Sequence, residues 1–229
     1  MSELINQNDQ RRQAQRQKRG VLRVEEILQA ANELFAERGY DNVTMHMLAV
    51  HAHTSPGSLY QFFPNKEAVA RELAMLVAQE LQQLYDTFMV SDVLELPFTD
   101  FLERFIDRLV ALNRTFPGYF ALEVGATLSP SLTLVLRDLQ HGLQLRLDAL
   151  IGSYWIHSNP EQRHLPLLVS YRVFLALLPL TLHNNDQQVV QEIKKLLLGY
   201  WIPLLSEGGG DLVSPHHETR SIPDNSCLS

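Results

Sequence analysis

Residues 44–66 read TMHMLAVHAHTSPGSLYQFFPNK, and the spacing within this stretch decides the fold. Met45, Leu48, Ala49 and Ala52 recur three and four residues apart, a period that puts them on one face of a short helix, and Thr44 before them is a good N-cap. His53-Thr54 breaks the period. Ser55 then caps a second helix with Pro56 at its first position, where the missing N–H costs nothing. In that helix Leu59, Phe62 and Phe63 are expected to face inward, and Ser58, Tyr60 and Gln61 outward. Pro64-Asn65 ends it. Lys66 opens a third helix, whose unpaired backbone N–H groups and nearby ammonium together favour a phosphate. Two short helices about a tight turn, over residues 44–63, make a helix-turn-helix that reads DNA.

Working outward, a helix over Arg23–Arg38 has acidic Glu25 and Glu26 near its start and Gly39 just past its end. Val24, Ile27, Ala31, Leu34 and Phe35 form its buried stripe, and Tyr40 and Val43 close a small core. From Lys66 a long helix runs to about Met89 with Val69, Leu73, Leu76, Val77, Leu84 and Phe88 inward. After a connector at Ser91–Pro97, Phe98–Thr115 is amphipathic, carrying Phe101, Phe105, Ile106, Leu109 and Leu112. An aromatic turn at Phe116–Phe120 leads into a short helix ending near Thr127. Ser129-Pro130 starts a long helix to Trp155, and Asn159-Pro160 marks a loop. Residues 165–182 are almost wholly apolar, and a last helix over Gln187–Leu205 gathers Val190, Ile193, Leu197, Tyr200, Trp201 and Leu204 on one broad face. Sustained period-two alternation is lacking, so the chain is expected to be all-α.

The 18-residue apolar run has the length of a membrane span. Its Arg172 would then sit mid-membrane at a cost of about 3 kcal/mol, and no basic loop flanks it. A buried interface helix is the expectation. The faces of this helix and the last one are too wide for a single partner helix in one subunit, which implies a homodimer.

With 229 residues, 45% of them hydrophobic, the chain can bury a core or two. Its single Cys227 excludes an internal disulfide, and no apolar stretch follows the N-terminal basic residues, so a cytoplasmic location is expected. The formal charge of −7 suits a DNA binder only once divided: residues 1–66 hold 8 Lys/Arg and 7 Asp/Glu, and the remainder holds 11 and 19. Residues 1–20 are polar, glutamine-rich and basic at Arg11, Arg12, Arg16, Lys18 and Arg19. They are expected to form a disordered arm, helical only near its junction. Either they lie along the DNA backbone or in the minor groove, as homeodomain arms do, or they are a solvated tail. Residues 206–229 read as a disordered tail.

The stretch resembles the DNA-binding domain of the TetR family of bacterial transcriptional regulators. Thr44, Leu48, Ala49, Ala52, Ser55, Gly57, Ser58, Leu59, Tyr60, Phe63 and Lys66 stand as in its signature. Upstream, Ile27, Leu28, Ala31, Leu34, Phe35, Gly39 and Tyr40 are similar to its first helix, so the resemblance covers residues 21–81. Two positions depart from it. His53 stands where the family usually has a turn glycine, and Phe62 where it often has a His or Tyr that reaches a phosphate. The resemblance implies a three-helix DNA-binding head at 21–81, joined to a larger helical effector-binding and dimerisation domain at 82–205. It further implies a homodimeric repressor on a pseudo-palindromic operator, released by a small, largely apolar ligand. The ligand would sit among Phe105, Phe116, Tyr119, Phe120, Trp155, Tyr171 and Phe174, residues that could equally be ordinary core. The alternative is control by a protein partner without a small-molecule effector.

Tyr60 is either an exposed aromatic without consequence or a phosphate contact. Its place beside Ser58 and before Lys66 favours the contact. Thr44 and Ser55 are helix caps that can also touch phosphate, and Gly57 permits close approach of backbone to the groove wall. Base reading falls to Gln61, Ser58, Pro56 and His46. His46, His51 and His53 do not make a metal set: alternate residues of a helix point apart, and no Cys or carboxylate cluster joins them. His216-His217 in the tail are weaker still. The absence of a Gly-x-Ser-x-Gly elbow and of a phosphate-cradling glycine loop argues against an enzyme, and no cofactor is expected.

Overall fold

Helix caps written into the sequence bound most of the elements. In the computed structural model, which describes residues 2–89, 95–125, 130–182 and 186–207, these are α1 (Ser2–Arg38), α2 (Met45–His51), α3 (Pro56–Phe62), α4 (Lys66–Phe88) and α5 (Phe98–Thr115). There follow α6 (Pro117–Gly125), α7 (Pro130–Tyr154), α8 (Pro160–Leu177), a 3-10 turn (Leu178–Leu182) and α9 (Asp186–Glu207). The described residues contain helices and no strand, as the missing two-residue period requires. Most of the Ser91–Pro97 connector, the helix end expected at Thr127 and nearly all of the tail expected at 206–229, Cys227 included, lie outside the described residues.

The chief departure is at the N-terminus. Where a disordered arm is expected over residues 1–20, α1 runs without a break from Ser2 to Arg38. Low hydrophobicity shows that this segment has no core to join, but it says little about local helix. Residues 2–19 hold neither Gly nor Pro, and the Gln and Arg that dominate them cost little in a helix.

The chain divides into two compact units, Met1–Ala78 with Phe116–Arg137, and Gln79–Thr115 with Asp138–Ser229. The boundary expected at 81/82 falls near the first division, but the stretch from Phe116 joins the first unit and not the second. α6 packs on α1, which periodicity within either helix cannot reveal. The contact is close. The Gly118 amide donates to Asn32 Oδ1 at 2.8 Å, and a Cβ at Gly118 would stand 2.2 Å from the Asn32 carbonyl oxygen.

The core of the first unit is built from Ile27, Ala31, Leu34 and Phe35 of α1 with Leu48, Ala49, Leu59, Phe63, Val69 and Leu73, all buried. Gly39, at φ +73°, terminates α1 by donating to the Phe35 carbonyl at 3.0 Å, the left-handed cap that glycine adopts without strain. The Tyr40 ring then packs 5.4 Å from Phe35.

The second unit is organised around aromatic rings. Phe105 packs on Tyr85 and Phe88 of α4 and stacks on Phe101, which meets Tyr154 at 4.9 Å. Phe98 links Tyr154 to Trp201, which in turn meets Trp155 edge-on at 6.5 Å. Three polar groups buried in this core are tied to partners. Asn113 donates to the Leu178 carbonyl and to Thr181, Arg163 clasps Asp148 through two nitrogens at 2.8 Å, and Lys194 reaches Asp107 at 2.8 Å.

Pro160–Leu182 is long and apolar enough to cross a membrane, and 28% of its most apolar window is buried. Along α8 and the 3-10 turn Leu165, Val169 and Leu180 remain exposed, and Leu196 does so on α9. Leu175 and Leu197, on the same helices, are buried within the unit.

Candidate nucleic-acid interface

α2 and α3 are held by their caps. Thr44 Oγ1 accepts from the Met47 amide at 3.2 Å, and Ser55 Oγ from the Ser58 amide at 3.1 Å, so each hydroxyl satisfies a backbone donor that the helix leaves free. The turn between them closes by a Schellman motif: Thr54 N–H donates to the Ala49 carbonyl at 2.9 Å and His53 N–H to that of Val50 at 3.2 Å. This geometry needs a left-handed residue. His53 takes it, at φ +49°, in the place where glycine is usual.

Leu48 and Ala49 of α2 and Leu59 of α3 point into the core, which fixes what faces out. On α3 Pro56, Gly57, Tyr60 and Gln61 are exposed, two pairs four residues apart, with Ser58 half-buried at the margin and Phe62 exposed on the flank. Thr44, His46 and Ser55 are also exposed, on the same pair of elements. Among the described residues nothing beyond the neighbouring backbone of α3 lies within 4 Å of where a Cβ on Gly57 would stand, so no described neighbour explains a glycine there.

Two expectations change. Phe62, read as inward, is 37% exposed, and its ring edge lies 3.9 Å from the position of a Cβ on Gly20. Leu59 and Phe63, four apart, already occupy the inner face, so Phe62 is turned to the flank beside α1. Met45 is likewise half-buried where a core position was expected.

Lys66 is more engaged than a phosphate ligand need be. Its ammonium donates to the carbonyls of Tyr40 at 2.6 Å and Asp41 at 3.4 Å and lies 4.2 Å from the centre of the Tyr40 ring. Burial pushes its pKa down, against the opposing pull of Asp41. The side chain ties the start of α4 to the segment between α1 and α2.

His51, at the end of α2, meets Glu33 of α1 at 2.6 Å, a contact that the sequence does not announce because 18 residues separate the pair. The His51 hydrogen bond is the main reason that the Glu33 carboxyl is held below its usual range, with a second bond from Gln29. Both of those side chains sit on the surface.

The seven aromatic residues expected around an apolar ligand fall in different units. Phe116, Tyr119 and Phe120 belong to the first, where Tyr119 donates to Glu123 at 2.6 Å and packs edge-on against Phe120. Phe105, Trp155, Tyr171 and Phe174 belong to the second, and all but the half-buried Tyr171 are buried there. Arg172 is exposed.

A capped two-helix reader with a polar outer face, followed by a larger helical unit, defines the helix-turn-helix class of transcriptional regulators. Residues 27–73 match the family described as bacterial regulatory proteins, tetR family, and residues 96–205 match the tetracyclin repressor-like C-terminal domain. The chain belongs to the TetR family of bacterial regulatory proteins, a family of DNA-binding transcriptional regulators and not of enzymes. An uncharacterized HTH-type transcriptional regulator of Bacillus subtilis, YhgD, is 32% identical over 89 residues. That match spans 39% of this chain and 45% of the relative, so the chain covers about half the length of the curated protein it resembles.

Solved structures share the fold at lower identity. The fatty acid degradation regulator FadR of Bacillus halodurans matches 77% of this chain and 95% of its own, at TM-score 0.59 and 19% identity. A TetR-family regulator from Marinobacter aquaeolei matches 79% and 89%, at TM-score 0.62 and 17% identity.

Proposed function

We propose that the protein is a sequence-specific DNA-binding regulator that acts as a homodimer on a pseudo-palindromic operator in the bacterial cytoplasm. The observation that carries this is the outer face of α3, where Pro56, Gly57, Tyr60 and Gln61 are exposed while Leu59 and Phe63 anchor the helix from behind. Gln61 can pair with adenine, and Pro56 can touch a thymine methyl, with Ser58 and His46 beside them. Tyr60, Thr44 and Ser55 are assigned to phosphate, where hydroxyls and helix N-termini fix register without reading sequence. Lys66 adds at most one further phosphate contact through the proton its two carbonyl partners leave. The exposed Leu165, Val169, Leu180 and Leu196 form the dimer face, which sets two readers against successive major grooves.

The regulator is a repressor that a small, largely apolar ligand releases from its operator. The aromatic lining of the second unit, with Phe105, Trp155 and Phe174 buried in it, supports this, because ligand sites are mostly apolar with few polar anchors. Titration with a panel of fatty acids and aromatic compounds, read by loss of operator binding, tests that part. If no compound changes operator affinity, control by a protein partner replaces it.

The DNA reading is tested by selecting operators from a random duplex pool with the purified dimer. Tyr60→Phe should weaken binding to all duplexes alike, whereas Gln61→Ala should change which duplex is selected. Recovery of the same operator by the Gln61→Ala protein at undiminished affinity would remove Gln61 from base reading.

A further inference from the structure

The proposed reading element is almost without charge. From Asn42 to Asn65 the sequence holds no Asp, Glu, Lys or Arg, and the ammonium of Lys66 beyond it is directed to the Tyr40 and Asp41 carbonyls. One of its histidines, His51, is paired with Glu33. Duplex DNA, however, presents a charge every ~1.7 Å of its axis, and most non-specific affinity comes from cations that displace its counterions. With a net charge of −7, the chain must gather those cations locally.

α1 gathers them. Between Gln10 and Val24 it carries Arg11, Arg12, Arg16, Lys18, Arg19 and Arg23 and no acidic residue. These span about 18 Å at the α-helical rise. Arg12, Arg16 and Arg19 follow one another at steps of four and three, the register of a single helix face, and Arg23, next in that register, is bonded to Glu26 at 2.6 Å. Lys18 and Arg19 are exposed. The same helix supplies Ile27, Leu34 and Phe35 to the core, so its basic turns are anchored to the head and not tethered by a loose linker. The Phe62 ring beside Gly20 places the basic segment next to the C-terminal end of α3.

We propose that Arg11–Arg19 of α1 is a second DNA-binding surface, which lies against phosphates flanking the groove entered by α3 and supplies most of the salt-dependent affinity. The proposal rests on the reading of residues 44–63 as a DNA-contacting element. It assigns sequence choice to a nearly neutral helix and grip to a separate basic one. Arginine suits the role because its planar fork meets phosphate oxygens through two bonds.

The test uses the full chain with two duplexes of equal length, one selected by the wild-type protein from a random pool and one unselected. In one variant Arg11, Arg12, Arg16, Lys18 and Arg19 all become Gln, which is nearly as good a helix former as Arg. In a second the four arginines become Lys. The glutamine variant should bind both duplexes at least tenfold more weakly. Its slope of log affinity against log salt should flatten by about three units or more, at ~0.9 per lost phosphate contact. Its preference for the selected duplex should remain, and the lysine variant should keep the wild-type slope. A wild-type slope in the glutamine variant overturns the proposal, as does loss of slope in the lysine variant. A wild-type protein that selects no duplex overturns instead the underlying assignment of residues 44–63.

Discussion

The backbone amide of Gly118 donates to the side-chain Oδ1 of Asn32 across 86 residues of sequence, at 2.8 Å and out of contact with water. At the same point the two helices approach so closely that a methyl group on residue 118 would overlap the Asn32 backbone. Hydrogen bond and missing side chain serve one end. The first makes the crossing polar and directional, and the second lets it be short.

Gly118→Ala should therefore push α6 off α1 and cost about 3 kcal/mol or more, the upper range for an overpacked core. Asn32→Ala should cost about 1–3 kcal/mol, because it leaves the buried amide without an acceptor. Urea denaturation of both proteins checks the ranking. A Gly118→Ala protein as stable as wild type would show that the crossing relaxes freely.

His53→Gly should stabilise the head by up to about 1 kcal/mol, since the left-handed turn then no longer strains a side chain. In a chain of this size that shifts the thermal midpoint by about 2–4 °C. His53→Val should move it the other way. Calorimetry of the three proteins decides.

The Glu33–His51 contact gives the head a pH dependence whose sign follows from Glu33. Its carboxyl is held below the ordinary 4.5 in the folded chain, so its stabilising contribution is complete above about that pH and is lost as pH falls through the lower folded value. Both partners are well exposed, so solvent screening limits the effect to about 0.5 kcal/mol. Glu33→Gln should lower stability by about 0.5 kcal/mol near neutral pH, leave it unchanged at low pH, and so flatten the acid limb of the profile. An identical acid limb would assign the dependence to other groups.

Gly57→Ala separates fold from binding. With open space around the position, alanine should leave stability unchanged or raise it by up to about 1 kcal/mol through helix propensity. It should nonetheless weaken operator binding, because the added methyl stands where the groove wall would come. Thermal unfolding and a gel shift on the selected operator measure the two effects, and full binding by the alanine protein would count against close approach at this point.

Leu196→Glu and Leu197→Glu are neighbours with opposite expected outcomes. Leu196 is 49% exposed, and a charge there should yield a folded monomer by light scattering with unchanged helicity. Leu197 is buried, and glutamate there should unfold the second unit. A dimeric Leu196→Glu protein would place the subunit contact elsewhere.

Much of the architecture is legible in the sequence because it is local. Thr44, Ser55 and Pro56 announce two helix starts, and Phe98–Thr115 shows its apolar period plainly, whereas Asn159-Pro160, read as a loop, caps α8 through a reciprocal bond with Gln162. The left-handed turn at His53 also follows from its neighbours. What is not legible is long-range or depends on direction. The return of α6 to α1, the Glu33–His51 pair and the capture of Lys66 by two carbonyls join residues whose proximity no periodicity encodes. Leu175 and Leu197, natural choices for a subunit contact from their place on wide apolar faces, are spent inside the chain. Burial within a subunit and burial between subunits leave the same mark on a sequence.

The return of α6 also orders the birth of the protein. A ribosome has made the whole reader by Lys66, yet the surface of α1 around Asn32 stays uncovered until Gly118 and the residues after it emerge. A nascent chain therefore carries a helix-turn-helix before the unit that holds it is complete, and the long loop to be closed makes completion slow relative to local helix formation.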